Sequence, residues 1–284
     1  MTKQTILSLA SAIGVVVASI YSAPAQSAPD TGWTSLFNGK NLDGWEIQLR
    51  GQAKKADPNK LVQIENGALH FYKDAAADSQ QPFGYIATRQ AYSHYRLRLE
   101  FKWGEKRFAP RAKSRRDSGL LYHVTGADKV WPDSVEYQIQ EEDVGDIYAV
   151  STRVVSSVDP QTTNILTKIS TNRTSGVVRT NISAQPKFLE TERGGVAFLQ
   201  GRSGTSLRVI RDPLNEKDGW NLVEIDVAGD RAVHLLNGKV NNRCSKIEQF
   251  ADGIWTTLDH GRIALQLEGA EVLYRNIEIQ ELKP

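Results

Sequence analysis

The 284-residue chain has a single cysteine, Cys244. It therefore cannot close an internal disulfide or build a multi-cysteine metal site. It also lacks an excess of charge: 35 Lys and Arg face 33 Asp and Glu, for a formal net charge of +2. Such a balance leaves no electrostatic footprint for nucleic acid, and no nucleic-acid partner is expected. Long stretches of 3.6-residue periodicity are missing, which argues against a helical protein. Beyond the N-terminus no window is long and apolar enough to cross a bilayer. What is present, 40% hydrophobic and 24% charged residues, is ordinary globular composition with length for a real core.

The one long apolar run opens the chain. Lys3 precedes a mostly apolar stretch from Ile6 to Ile20, and Ala23-Pro24-Ala25 offers an A-x-A cleavage site. The run is shorter than the ~20 residues of a membrane span. Residues 1–28 are therefore read as a secretory signal peptide, with a retained anchor as the alternative. Residues 29–284 are read as a single domain, secreted or periplasmic, a setting that suits a lone cysteine.

The remainder is written in period-2 runs bounded by Gly, Asn and Asp. Arg96 to Trp103 alternates strictly, with Leu97, Leu99, Phe101 and Trp103 on one side. Trp220 to Val227 repeats the pattern, with Val223, Ile225 and Val227 inward. Asn237-Gly238 and Asn66-Gly67 are hairpin turns, because two-residue turns need positive φ at both central positions. Arg262–Leu267 and Val272–Leu282 form a last pair around Gly269. No linker interrupts these runs. The expected fold is all-β, an antiparallel two-sheet jelly-roll sandwich. Lys106–Asp117 reads as a basic loop, and Ser151–Gly195 as a long polar insertion.

Three strands carry candidate chemistry. In Ser134–Gln140, Val135, Tyr137 and Ile139 pack inward, while Ser134, Glu136, Gln138 and Gln140 line the other face. A row of carboxylate and amides suits hydroxyl groups; a solvated outer face is the plain alternative. In Arg262–Gly269, Ala264, Gln266 and Glu268 share one face. In Gly119–Val124, His123 is expected opposite Leu120, Tyr122 and Val124. If adjacent, these strands form one groove. Trp131, in a loop beside Pro132, is a candidate for stacking on a sugar face. Arg275 is either a clamp on substrate or the partner of a structural carboxylate.

The opening Leu36-Phe37-Asn38-Gly39-Lys40-Asn41-Leu42-Asp43-Gly44-Trp45 resembles that of the 3-keto-disaccharide hydrolase family. So do Asp117–His123, Val135–Gln140, Gly145–Tyr148, Leu236–Lys239, Gly261–Gly269 and Tyr274–Ile277. The resemblance spans nearly all of residues 29–284. It implies a concanavalin-like jelly roll that acts on 3-keto glycosides, with a carbohydrate substrate. A non-catalytic carbohydrate-binding module remains the alternative, since the fold serves both; a two-carboxylate glycosidase is a weaker rival.

A ketone at sugar C3 acidifies the C2 hydrogen, so elimination of the C1 substituent and hydration of the resulting glucal amount to hydrolysis. That path needs a base, an acid and donors at the ketone oxygen. Glu136 and Glu268 are the candidate base and acid, and His123 a third proton-exchanging group. Gln138, Gln140, Gln266, Arg275 and Trp131 are the candidate substrate contacts. A divalent metal ion on Glu, His and Gln could stabilise the enolate instead.

Overall fold

The computed structural model describes residues 32–163, 165–171, 178–184, 186–202, 208–210 and 215–284. The signal peptide expected at residues 1–28 lies outside them. Strands follow one another through these residues with no α-helix among them. They are β1 (Thr34–Ser35), β2 (Trp45–Leu49), β3 (Val62–Glu65), β4 (Ala68–Phe71), β5 (Gly84–Tyr92), β6 (His94–Arg107) and β7 (Asp117–Thr125). Next come β8 (Asp133–Gln140), β9 (Ile147–Val150), β10 (Thr152–Val158), β11 (Ile165–Thr171), β12 (Val178–Ala184) and β13 (Val196–Gly201). The series ends with β14 (Arg208–Val209), β15 (Asn221–Ala228), β16 (Ala232–Leu236), β17 (Lys239–Ala251), β18 (Ile254–Thr257), β19 (Gly261–Leu267) and β20 (Ala270–Glu281).

Two antiparallel sheets result. The larger runs β13-β10-β17-β16-β15-β6-β20-β4-β3, with β1 on β20 and β18 on β17. The smaller runs β14-β9-β8-β7-β19-β5-β2. Within the expected 151–195 insertion, β10 joins the larger sheet, while β11 and β12 pair only with each other. The Asn237-Gly238 turn has φ of 51° and 76°, and Asn66-Gly67 has 49° and 77°, as tight hairpins require.

The alternation of each strand decides which side faces its partner sheet. Leu97, Leu99 and Phe101 of β6 and Val223, Ile225 and Val227 of β15 meet Val135, Tyr137 and Ile139 of β8 and Ile263, Leu265 and Leu267 of β19 in one buried cluster. Each such side chain contributes roughly 1.5–3 kcal/mol of transfer free energy. This is the jelly-roll sandwich expected. Trp103 ends the β6 alternation only half-buried, because its indole Nε1 turns out to donate to Glu216 Oε1 at 2.9 Å.

Two histidines are sealed into the sandwich. His234 stacks on Tyr137 with centroids 4.6 Å apart, and its ring nitrogens meet Gly145 O and Tyr122 Oη, both at 3.1 Å. Burial lowers its pKa to about 3 and that of His123 to about 4. Both stay neutral in the fold while the unfolded chain takes up protons below about pH 6.5. Their stabilising effect is therefore full above pH 6.5 and is lost as the pH falls toward 4. Thermal unfolding is expected to show Tm dropping over that window, less steeply in His234→Gln; an identical slope in the variant contradicts the assignment.

Candidate functional site

β8, β7 and β19 lie side by side in the smaller sheet. The three strands singled out above thus share one surface, the face turned away from the core. Glu136 of β8 stands opposite Tyr148 of β9, and Gln138 opposite Gly119 of β7. Over this face opens a cavity of about 490 Å³ whose lining includes Glu136, Gln138, Gln140, Glu268, Trp131 and, from outside the expected set, Arg111, Asp117, Tyr148 and Arg208.

Three carboxyls converge at its floor. Glu136 is 5% exposed and Glu268 6%. Arg111 Nη1 lies 2.6 Å from Glu268 Oε1 and also bonds Asp117 Oδ2. Gln140 Nε2 donates to the same Asp117 oxygen at 2.9 Å. Gln138, with its amide nitrogen toward them, donates to Glu136 Oε1 at 2.5 Å and to Ser118 O at 3.1 Å. Burial raises the Glu136 carboxyl well above the usual range, and Glu268 and Asp117 push it further. Burial and Asp117 raise Glu268 to about 8 against the pull of Arg111, and burial raises Asp117 to about 6. Among the described residues no cation bonds Glu136, while Arg111 bonds both other carboxyls, so Glu136 is the one that holds its proton most firmly. Burial raises Tyr148 too, and it remains a phenol able to donate.

Gly119 makes this crowding possible. A Cβ there would run into Gln266 Oε1 and Glu136 Oε1. Its φ is not in the left-handed region, so alanine costs the backbone little. Gly119→Ala is expected to fold yet lose roughly 100-fold in turnover by displacing Glu136. Full activity in that variant counts against Glu136 as a reacting group.

The expected residues divide. Glu136, Glu268, Gln138, Gln140 and Trp131 line the cavity. Gln266 sits beneath it, 1% exposed, with Oε1 unpartnered. Two do not reach the site. His123 has φ of 53°, at a register shift between Tyr122 and Thr125, and this bulge flips the alternation of β7. Leu121 and Val124 then share the side on which His123 was expected, while His123 Nε2 meets Gly229 O, in the turn between β15 and β16, at 2.9 Å. Buried and with its pKa lowered, it serves packing. Arg275 belongs to the larger sheet: Nε donates to Glu100 Oε2 at 2.7 Å, and the guanidinium covers the Trp220 ring at 3.9 Å. It is the structural partner of a carboxylate.

Asp117 was visible as the residue before Ser118-Gly119, but nothing in its spacing marked it. Arg111 was one of several charges in the basic loop, and Arg208 comes from a two-residue strand. Arg208 Nη2 bonds Asp143 and Asp146 at 2.8 and 2.9 Å and lines the cavity wall. Arg111 takes one oxygen each of Asp117 and Glu268, and no group of three or more His, Cys, Asp or Glu among the described residues is arranged to hold a metal ion. A depression of about 470 Å³ beside Trp103 is less suited to chemistry, since the oxygens of Glu216 there are taken by the Trp103 indole and the Glu142 amide.

A two-sheet jelly roll with carboxyls, amides and an aromatic gathered on one sheet face defines a carbohydrate-active β-sandwich. Residues 32–280 match the model of the 3-keto-alpha-glucoside-1,2-lyase-like domain, and the chain belongs to that family. Among solved structures it is similar to a Parabacteroides distasonis protein crystallised as a candidate glycosyl hydrolase (17% identity, 89% of this chain and 95% of that one, TM-score 0.48). It is also similar to a protein of unknown function with a galectin-like fold from Bacillus subtilis (11%, 88% and 94%, 0.43). A Bacillus licheniformis β-glucanase is comparable (11%, 88% and 97%, 0.42). No curated protein matches the sequence. No helix among the described residues is long and apolar enough to cross a membrane.

Proposed function

We propose that the cavity cleaves 3-keto glycosides by elimination across C1 and C2 followed by hydration. The observation that carries this reading is the pair of buried carboxyls, Glu136 and Glu268, held at different proton affinities beside one guanidinium. Glu268, the more readily ionised, takes the proton from C2. A C1–C2 double bond forms as the C1–O bond breaks, and the leaving oxygen receives the proton of Glu136. Water then adds across that bond, hydroxyl to C1 and hydrogen to C2, which returns both carboxyls to their starting states. Among the described residues Arg111 meets the carboxylates through Nη1, which leaves its other N–H groups, with the Tyr148 phenol, to polarise the C3 oxygen. Trp131 supplies an aromatic wall for the sugar ring.

The test is to incubate the protein with a 3-keto disaccharide and with the unoxidised parent. Transient glucal absorbance and free sugar from the oxidised compound alone are expected. Cleavage of both substrates points to a two-carboxylate glycosidase, and binding without cleavage to a carbohydrate-binding module. The leader expected at residues 1–28 supports a periplasmic or extracellular setting for the reaction; recovery of the protein there with residues 1–28 removed tests it.

A further inference from the structure

Gln138 follows Glu136 by two residues on β8, shares its face and is 6% exposed. Its backbone is held on both sides. The Gln138 N–H donates to Asp146 O at 3.0 Å, and the Gln138 carbonyl accepts from the Gly145 N–H at 2.8 Å. From there the side chain crosses to β7, where Gly119 stands opposite.

β7 dictates which end of the amide turns inward. Ser118 O is a backbone carbonyl and can only accept, so the atom 3.1 Å from it is the side-chain nitrogen of Gln138. Ser118 is itself pinned, with its hydroxyl bonded to Gln266 O at 2.6 Å and to Tyr274 Oη at 2.7 Å. The same nitrogen lies 2.5 Å from Glu136 Oε1. A side-chain amide has two N–H bonds, and each of these acceptors takes one. The nitrogen of Gln138, a candidate sugar contact from the sequence, thus has no donor left for a sugar hydroxyl.

The bond to Oε1 decides where a proton on Glu136 resides. A neutral carboxyl has one carbonyl oxygen, which accepts, and one hydroxyl oxygen, which donates. Oε1 accepts from Gln138 and is hemmed in by β7, since a Cβ on Gly119 would run into it. The hydroxyl is therefore at Oε2. Among the described residues no hydrogen bond engages Oε2, so its proton is left for a ligand in the cavity that Glu136 lines.

We infer that Gln138 is a positioning residue for the acid: by donating to Oε1 it places the Glu136 proton on Oε2, toward the leaving group. This rests on the elimination proposed above, in which Glu136 protonates the oxygen that departs from C1. The proton passes from Oε2 to that oxygen as the C1–O bond breaks, and the carboxylate left behind keeps its bond from Gln138. The hydrating water returns the proton to Glu136 as its hydroxyl joins C1.

Leaving groups separate this role from packing. A 3-keto disaccharide needs a proton on its departing oxygen, whereas 4-nitrophenyl 3-keto-glucoside releases a stabilised phenolate without one. Elimination is followed by glucal absorbance on the wild type, Gln138→Leu, Gln138→Glu and Glu136→Gln. Leucine offers no donor, and glutamate keeps the size and polarity but has one proton at most. Both Gln138 variants are expected to lose roughly 10–100-fold in kcat on the disaccharide, the cost of a misplaced acid, and less than about threefold on the nitrophenyl glycoside. The retained nitrophenyl rate certifies the fold, and if Gln138→Leu does not fold, Gln138→Glu carries the comparison. Added to Glu136→Gln, either change should cost nothing further on the disaccharide, because the two residues act as one unit. If the wild type accepts only the disaccharide, a loss at unchanged Tm that vanishes in the Glu136→Gln background supports the role, and an additive loss overturns it. Equal losses on both glycosides, or parent-like rates in the Gln138 variants beside an impaired Glu136→Gln, overturn the role of Gln138 and leave the reaction standing. A wild type that cleaves only the nitrophenyl glycoside, or a Glu136→Gln without selective loss, removes the acid and the role of Gln138 with it. A wild type inert toward both oxidised substrates overturns the reaction itself.

Discussion

Glu268→Gln is expected to remove roughly 10²–10⁴-fold of the turnover of a 3-keto disaccharide, the usual reach of a positioned general base. The amide fills the same space and can still receive a bond from Arg111, but it takes no proton from C2. In the parent, kcat/KM should rise with pH along a limb near 8, because Glu268 must be ionised to act and its carboxyl is raised to about 8. In the variant that limb disappears with the activity. Stability moves the other way. The unfolded carboxyl ionises near 4.5, while the folded one keeps its proton to higher pH, so between those values stability falls as pH rises. Glutamine removes that dependence, and the variant should melt a few degrees higher than the parent at neutral pH. Glu136→Gln should behave alike, since burial raises that carboxyl too. Parent-like turnover in both variants, measured by sugar release, is incompatible with the proposed chemistry.

Arg111→Gln carries the second large effect. The guanidinium bonds Asp117 and Glu268 and, among the described residues, is the one cation bonded to Glu268. Its loss deprives the developing enolate of its nearest positive charge, which for a preorganised donor is worth roughly 10²–10³-fold in rate. It also leaves two buried carboxyls unopposed, so the Glu268 carboxyl rises further and the limb of any residual activity shifts to more alkaline pH. A simple loss of packing lowers the rate without moving that limb. A pH profile of the variant therefore separates the two, and an unshifted limb argues that Arg111 holds only the loop.

The contrast between Glu136 and His123 explains what could be read from the chain. Glu136, Gln138 and Gln140 lie on an unbroken alternation, so period two alone placed them on one face with Val135, Tyr137 and Ile139 behind. The same logic placed Gln266 and Glu268. It failed one strand away. The bulge at His123 adds one residue to the count, and every inference past it inverts. Adjacency of β7, β8 and β19 could only be wagered, because pairing between residues near 120, 136 and 265 is a tertiary event. Arg111 and Arg208 sit on a loop and a two-residue strand, where periodicity carries no information. Arg275 illustrates the opposite error: a cation on a closing strand reads equally as clamp or strut, and only the Glu100 contact decides.

The placement of β19 between β7 and β5 has a consequence for biogenesis. The middle of the smaller sheet stays open until Gly261–Leu267, far along the chain from β5 and β7, slide in. Long-range strand pairing of this kind is slow and leaves unpaired edges waiting. A nascent chain must therefore carry an unfinished sheet until Gly261–Leu267 have been made, and no N-terminal fragment ending before Gly261 should possess even weak reactivity.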